Sequence, residues 1–240
     1  MTATHVAVPA AGHSGPGVLV LHAWWGLNDT FRALADRLAG EGFVAIAPDL
    51  FGDSKVVTTV EEAETRLEAA SGKDVAARAE SAVDELLAHP GVIGRQVGVI
   101  GFSLGAAQAL KLSQERPEVA AVVAFYGAAD GDFSASHAAF LGHFAPGDEW
   151  EPDEGVDALE ASLRAAGRPV TFERYPGTRH WFFEPDRPEN DPAAADLAWT
   201  RTIAFLREHL GPLGAWPGSW SRASIHHRSS FLSRAARLSR

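Results

Sequence analysis

Short apolar, β-branched runs alternating with helix-patterned segments constrain this chain more than any other feature. Val18–Leu21, Phe43–Ala47, Val97–Ile100, Val119–Phe125, Ala138–Phe144 and Val170–Tyr175 each have the length of one strand. Between the first two, Phe31, Leu34, Ala35 and Leu38 share a helical face that Asn28 or Asp29 caps and that Gly40 and Gly42 end. The 60–88 region is helical with a break near Ser71-Gly72, and its second half places Val75, Ala79, Val83, Leu86 and Leu87 on one stripe. Further helices are predicted over 103–115, about 153–166 and about 192–210. Strands alternating with helices of this length predict an α/β fold, a mostly parallel central sheet with helices on both faces. Ligands of such sheets bind outside the carboxyl ends of the strands, so the loops that follow strands are where chemistry is expected.

One of those loops has a nucleophile's pattern. Residues 98–105 read Gly-Val-Ile-Gly-Phe-Ser-Leu-Gly, so Gly101 to Gly105 form G-x-S-x-G directly after an apolar run. The pattern suits a sharp strand-to-helix turn that lifts a serine hydroxyl clear of the backbone. Ala106, Ala107, Ala109, Leu110 and Leu112 then continue as a small-residue helix able to pack closely on a sheet.

A serine hydroxyl is a weak nucleophile at neutral pH and needs a base oriented by an acid. In folds built around such an elbow the chain order is nucleophile, acid, histidine, each after a strand. His180 leaves the last predicted strand in Tyr175-Pro-Gly-Thr-Arg-His180 and takes the histidine's place. His137 and His143 flank or lie in a strand, and His209 ends a helix. Asp148 leaves the preceding strand and is the favoured acid, with Asp130 and Asp132, after the strand before that, as rivals. Asp153 and Asp157 fit a helix N-terminus instead, where they complement its dipole.

Aromatic residues crowd the same edge: Trp24, Trp25, Phe102, Tyr126, Trp150, Trp181, Phe182 and Phe183. Any one of them would be unremarkable core. Grouped beside all three predicted site positions, they suggest an apolar substrate pocket, with Trp25, Phe102, Tyr126, Trp150 and Trp181 as its candidate lining. Arg179, next to His180, reads as a surface residue.

Composition excludes several alternatives. With no cysteine, disulfides, thiolate metal sites and cysteine nucleophiles are all absent. No H-E-x-x-H, phosphate-loop or dinucleotide pattern occurs, so no metal and no cofactor is expected. The net charge is −10, and residues 211–240 contain five arginines and no acid. Residues 1–210 therefore hold 16 basic residues against 31 acidic ones, which argues against nucleic acid as a partner. The apolar runs are too short to span a membrane and the N-terminus lacks a secretory layout, so no membrane partner and a cytoplasmic location are expected. The domain is expected over 1–210, followed by a basic tail, 211–240, whose composition is that of a disordered extension.

Taken together, Leu19–Asn28, Gly42–Leu50, Gly98–Gly105, Gly147–Pro152 and Tyr175–His180 resemble the dienelactone hydrolase family of α/β-hydrolases. The resemblance reaches from about residue 5 to 210. It implies a triad of Ser103, Asp148 and His180, with an oxyanion hole made by the backbone N–H groups of Leu104 and Trp24. Three departures mark the chain off. Dienelactone hydrolases proper use a cysteine where Ser103 stands. The glutamate that tunes that cysteine corresponds to Ala23, and the arginine that grips a substrate carboxylate is replaced by Phe183-Glu184. The expected activity is cleavage of small ester or lactone substrates through an acyl-enzyme. A related amidase, peptidase or thioesterase, or a binding protein that kept the fold, are the alternatives.

Overall fold

The structure is a computed structural model that describes residues 4–10 and 13–211. Its centre is a seven-stranded sheet: β1 (Thr4–Ala7), β2 (Gly15–Leu21), β3 (Val44–Pro48), β4 (Val92–Phe102), β5 (Val119–Phe125), β6 (Ala139–Phe144) and β7 (Val170–Arg174). The spatial order is β1-β3-β2-β4-β5-β6-β7. All neighbouring pairs are parallel except β1 with β3, which is antiparallel. Strands β2 and β3 are buried along their whole length because helices cover both faces, and this is why they read as unbroken apolar runs.

The helices are α1 (Asp29–Gly40), α2 (Val60–Ala69), α3 (Gly72–Ala88), α4 (Leu104–Glu115), α5 (Asp153–Ala165) and α6 (Pro192–Leu210). Asn28 caps α1 by accepting the Phe31 N–H, and Ser71 caps α3 by accepting that of Asp74. Thr59 and Glu62 form a reciprocal capping box at the start of α2. On one side α1 and α6 are neighbours, with the Arg37 guanidinium 4.1 Å above the Trp199 ring. On the other, Val83 and Leu86 of α3, Ala109 and Leu110 of α4, and Leu159 and Leu163 of α5 join Val99 and Val122 in one buried cluster. At roughly 25 cal/mol per Å² of apolar surface removed from water, such clusters supply the main favourable term in folding.

The boundaries differ from the sequence reading where burial gives no signal. β1 was not predicted; it is a four-residue edge strand, and its Val6 is 41% exposed. β4 starts five residues earlier than expected because Ile93 to Gln96 are exposed, and it runs on to Phe102. A short 3-10 helix, Phe133–Ala135, was also missed. Asp153 stands in the first turn of α5 as expected, whereas Asp157 lies one turn further in and pairs with Arg174. The 211–240 tail lies outside the described residues apart from Gly211.

Beneath the carboxyl end of the sheet sits a buried polar network. His143 on β6 is fully buried, with Nδ1 2.8 Å from the Tyr175 hydroxyl and Nε2 3.0 Å from the Thr202 hydroxyl. Burial, helped by the positive charge of Arg201, holds this imidazole down to about 3, so it is neutral in the folded protein. In the unfolded chain the imidazole returns to about 6.5, so between pH 6.5 and 3 the unfolded state binds the extra proton. Stability from this site is present above pH 6.5 and is lost as pH falls through that window. Urea unfolding midpoints at pH 7 and pH 4.5 should therefore differ more for the wild type than for His143→Gln. The elbow gives a second prediction. A Cβ on Gly101 would lie 2.2 Å from the Gly105 carbonyl oxygen. Gly101→Ala should cost about 3 kcal/mol, the upper end of overpacking penalties, measured by the same denaturation.

Candidate active site

Strand β4 ends at Phe102 and helix α4 starts at Leu104, which leaves Ser103 to make the whole turn. It does so at φ 51°, ψ −112°, a left-handed conformation that a non-glycine residue holds only under external constraint. The constraints are visible. The Ser103 N–H donates to the Phe125 carbonyl at 2.9 Å, and its own carbonyl accepts from Ala106 and Ala107 in the first turn of α4. A Cβ on Gly105 would lie 2.1 Å from the Leu21 oxygen and 2.7 Å from that of His22, so the elbow rests directly on the end of β2. The Ser103 hydroxyl makes no capping bond and the residue is half-buried, which leaves its oxygen open to a partner.

That partner is His180. Its Nε2 lies 3.1 Å from the Ser103 Oγ, and its Nδ1 lies 2.7 Å from Asp148 Oδ2. With Nδ1 protonated and donating to the carboxylate, Nε2 carries a lone pair to which the Ser103 hydroxyl can donate a hydrogen bond. Asp148 is fixed through its other oxygen, Oδ1, which accepts the N–H groups of Trp150 at 2.9 Å and Glu151 at 3.3 Å. Both side chains of the Asp148–His180 pair are nearly inaccessible to water, at 2% and 5% exposure, which strengthens the bond between them. The rival acids lie elsewhere. Asp132 accepts the Ser134 N–H at the head of the 3-10 helix, and Asp130 is exposed on the preceding loop. Arg179 is exposed beside His180, as expected.

On the opposite side of Ser103, the segment leaving β2 is held by a residue that sequence reasoning did not single out. His22 is fully buried; its Nδ1 donates to the Ala23 carbonyl at 2.7 Å and its Nε2 accepts the Leu50 N–H at 3.0 Å. The imidazole thus ties the turn containing Trp24 to the end of β3. Leu104 opens α4, so its N–H has no partner inside the helix.

The aromatic residues divide into two groups. Trp24, Trp25, Trp150 and Trp181 form one cluster, with ring centroids 5.2–6.1 Å apart in every recorded pair. Trp150 is its exposed member, and Arg187 lies 4.1 Å over the Trp25 ring. Phe102 and Tyr126 are instead fully buried under the elbow, where Phe102 packs against Phe31, Phe125 and Phe183. A cleft of about 200 Å³ is lined by Asp148, Trp150, Arg179, His180 and Trp181, among others. Of the predicted pocket residues, Trp150 and Trp181 line this cleft; Trp25 backs the indole cluster, and Phe102 and Tyr126 support the site from below. A slightly larger cleft, about 250 Å³, opens between Phe51 and α3 and includes none of the three central side chains.

Two carboxyl groups near the site had no role in the sequence reading. Glu151 accepts the Ala128 N–H at 2.7 Å and so joins the loop after β6 to the loop after β5; burial raises its carboxyl above the usual range. Glu184 is fully buried and accepts the Tyr126 hydroxyl at 2.7 Å. The signal available for Glu184 was its place directly after Trp181, Phe182 and Phe183, an apolar stretch that draws its neighbour inward.

A profile of the dienelactone hydrolase family matches residues 2–210. The protein usf of Aquifex pyrophilus is 30% identical over 86% of this chain and 93% of its own length. A putative carboxymethylenebutenolidase of Azospirillum brasilense is 29% identical over 86% of this chain and 93% of its own. Among solved structures, a dienelactone hydrolase-like promiscuous phosphotriesterase from metagenomic libraries is 29% identical, with a TM-score of 0.76 over 85% of this chain and 91% of that one. Among the described residues no helix is long and apolar enough to cross a membrane. The elbow after β4, the parallel sheet and the match along 2–210 lead to one conclusion: the chain belongs to the dienelactone hydrolase family, hydrolases of the ester and lactone type with the α/β-hydrolase fold.

Proposed function

We propose that the chain cleaves small ester or lactone substrates with Ser103 as nucleophile, His180 as general base and Asp148 as the acid that orients it. The observation carrying this reading is the hydrogen-bonded line from Ser103 Oγ through His180 to Asp148, with spacings of 3.1 and 2.7 Å. In the forward step the Ser103 oxygen bonds to the carbonyl carbon as its proton passes to His180 Nε2, and Asp148 stabilises the imidazolium. His180 returns that proton to the departing alcohol oxygen, which leaves an acyl-serine. A water then attacks the acyl carbon with His180 again taking the proton, and the acid product and free Ser103 are restored.

The tetrahedral oxygen needs donors where its charge develops, and such donors often supply the largest single term in acyl transfer. The Leu104 N–H, unpaired at the start of α4, and the Trp24 N–H, on the segment that β2 brings against the elbow, are assigned this role. Trp150 and Trp181 would form the apolar wall for the acyl or alcohol group. Glu184 is turned inward onto Tyr126 and Phe183 is buried, so a substrate carboxylate meets no cation at the place where the family's arginine would stand. That position therefore favours uncharged esters and lactones, and Arg179 is the cation that lines the cleft. The proposed reaction requires no cofactor.

Hydrolysis of p-nitrophenyl esters, lactones and amides by the wild type and by Ser103→Ala tests the reading. Ser103→Ala should lower kcat/KM on the order of 10⁴-fold or more and abolish labelling by a fluorophosphonate. Undiminished hydrolysis in that variant would sink the mechanism, and an unlabelled wild type would mark a binding protein. Asp148→Asn should lower kcat by about 10³- to 10⁴-fold with little change in KM, since it alters the imidazole tautomer and leaves the cleft intact.

A further inference from the structure

Glu184 follows His180 by four residues, yet its carboxyl faces the interior. The residue is fully buried; Oε1 accepts the Tyr126 hydroxyl at 2.7 Å, and Oε2 is buried without a hydrogen-bond partner. Tyr126 relays this contact to the active site, because its ring centroid lies 4.9 Å from that of His180. The Glu184 N–H donates to the Trp181 carbonyl at 2.9 Å and closes a turn immediately after the histidine. Two residues on this path hold left-handed backbone, Tyr126 at φ 38° and Trp181 at φ 63°, which side-chain-bearing residues adopt only when surrounding contacts impose it.

We propose that Tyr126 and Glu184 are a positioning pair for His180, that the pair functions with Glu184 protonated, and that ionisation of Glu184 releases the histidine from Ser103. A carboxylate at this place would be a buried charge with one oxygen lacking any donor, a costly arrangement. Burial pushes the Glu184 carboxyl up to about 8; the Tyr126 hydroxyl and Arg187 oppose this, and Asp186 and Glu189 add to it. Apart from Arg187, whose cation partly offsets it, the charged groups facing the pair do not stabilise the new charge. Asp148, bonded to His180 Nδ1, disfavours negative charge on Tyr126, and His143 is neutral. Arg187 is held over Trp25 and donates to the Thr58 carbonyl, while Asp186 accepts from Asn28 and Thr30. Once ionised, Glu184 gains most by leaving the turn for water, and the turn carries His180 with it.

The inference rests on the proposed hydrolase mechanism, so its test has one arm that needs turnover and one that does not. A serine–histidine pair keeps its activity in alkali, because the base has only to be neutral. Wild-type kcat, corrected for spontaneous ester hydrolysis, should instead fall by about tenfold per pH unit above roughly pH 8, with KM nearly constant. Glu184→Gln keeps the bond to Tyr126 but cannot ionise, so its kcat should hold its own pH 7 value up to pH 10. Tyr126→Phe should lower kcat at pH 7 and leave KM unchanged.

The second arm follows the downfield proton resonance of His180 Nδ1, bonded to Asp148. It should vanish above pH 8 in the wild type and persist in Glu184→Gln. A wild-type plateau to pH 10, or the same alkaline behaviour of the resonance in both proteins, would overturn the inference. If no ester is turned over, the hydrolase mechanism fails and the resonance still decides the role of the pair. If Glu184→Gln does not fold, the wild-type alkaline limb and Tyr126→Phe decide it.

Discussion

The close approach of the elbow to the end of β2 is the constraint on which the rest of this architecture depends. Gly105 has the Leu21 and His22 carbonyls where a side chain would begin, so α4 can start only if that position carries no Cβ. From this contact three consequences follow. Ser103 is forced into a left-handed turn that raises its hydroxyl to the carboxyl edge of the sheet. The first N–H groups of α4 point at the same space. The segment bearing Trp24 is brought alongside, where His22 locks it to the end of β3. The backbone thus sets one half of the site before any side chain is chosen.

The other half is set by side chains on longer loops. Asp148 stands four residues beyond β6 and His180 six beyond β7. Their mutual bond, shielded from water, substitutes for the rigidity that the elbow obtains from packing. Polar contacts that support them come from remote parts of the chain: Glu151 on Ala128, Glu184 on Tyr126, and His143 between Tyr175 and Thr202. Each is buried or half-buried and hydrogen-bonded, so each adds specificity to the arrangement at the cost of desolvating a polar group.

Much of this was legible in the sequence because the sheet is covered on both faces. A strand buried on each side must be apolar throughout, which made β3, β5 and β6 readable to within one or two residues, whereas β1 and the exposed start of β4 gave no such signal. The order serine, aspartate, histidine was readable because each residue leaves a strand at its carboxyl end. What stayed hidden were contacts between residues far apart in the chain, such as Tyr126 with Glu184 across 58 positions, for which no local periodicity exists. The aromatic residues were a mixed case. Their gathering at one edge was visible, but only packing distinguishes Trp150, at the surface, from Phe102, sealed in the core.

The sheet order also bears on how the site is assembled as the chain is made. β2, β3 and β4 occupy the centre and one flank, and β5 adds the neighbour that anchors the Ser103 N–H. A nascent chain that has emerged only as far as β5 already carries every strand that the elbow contacts, before Asp148 and His180 are added. The bond from Ser103 to His180 becomes possible only after β7, and α6, whose Leu206 and Leu210 lie against Gly98 of the central strand, completes the domain last. The linear order of the three residues thus completes their hydrogen-bonded line only after the sheet that carries it has been made.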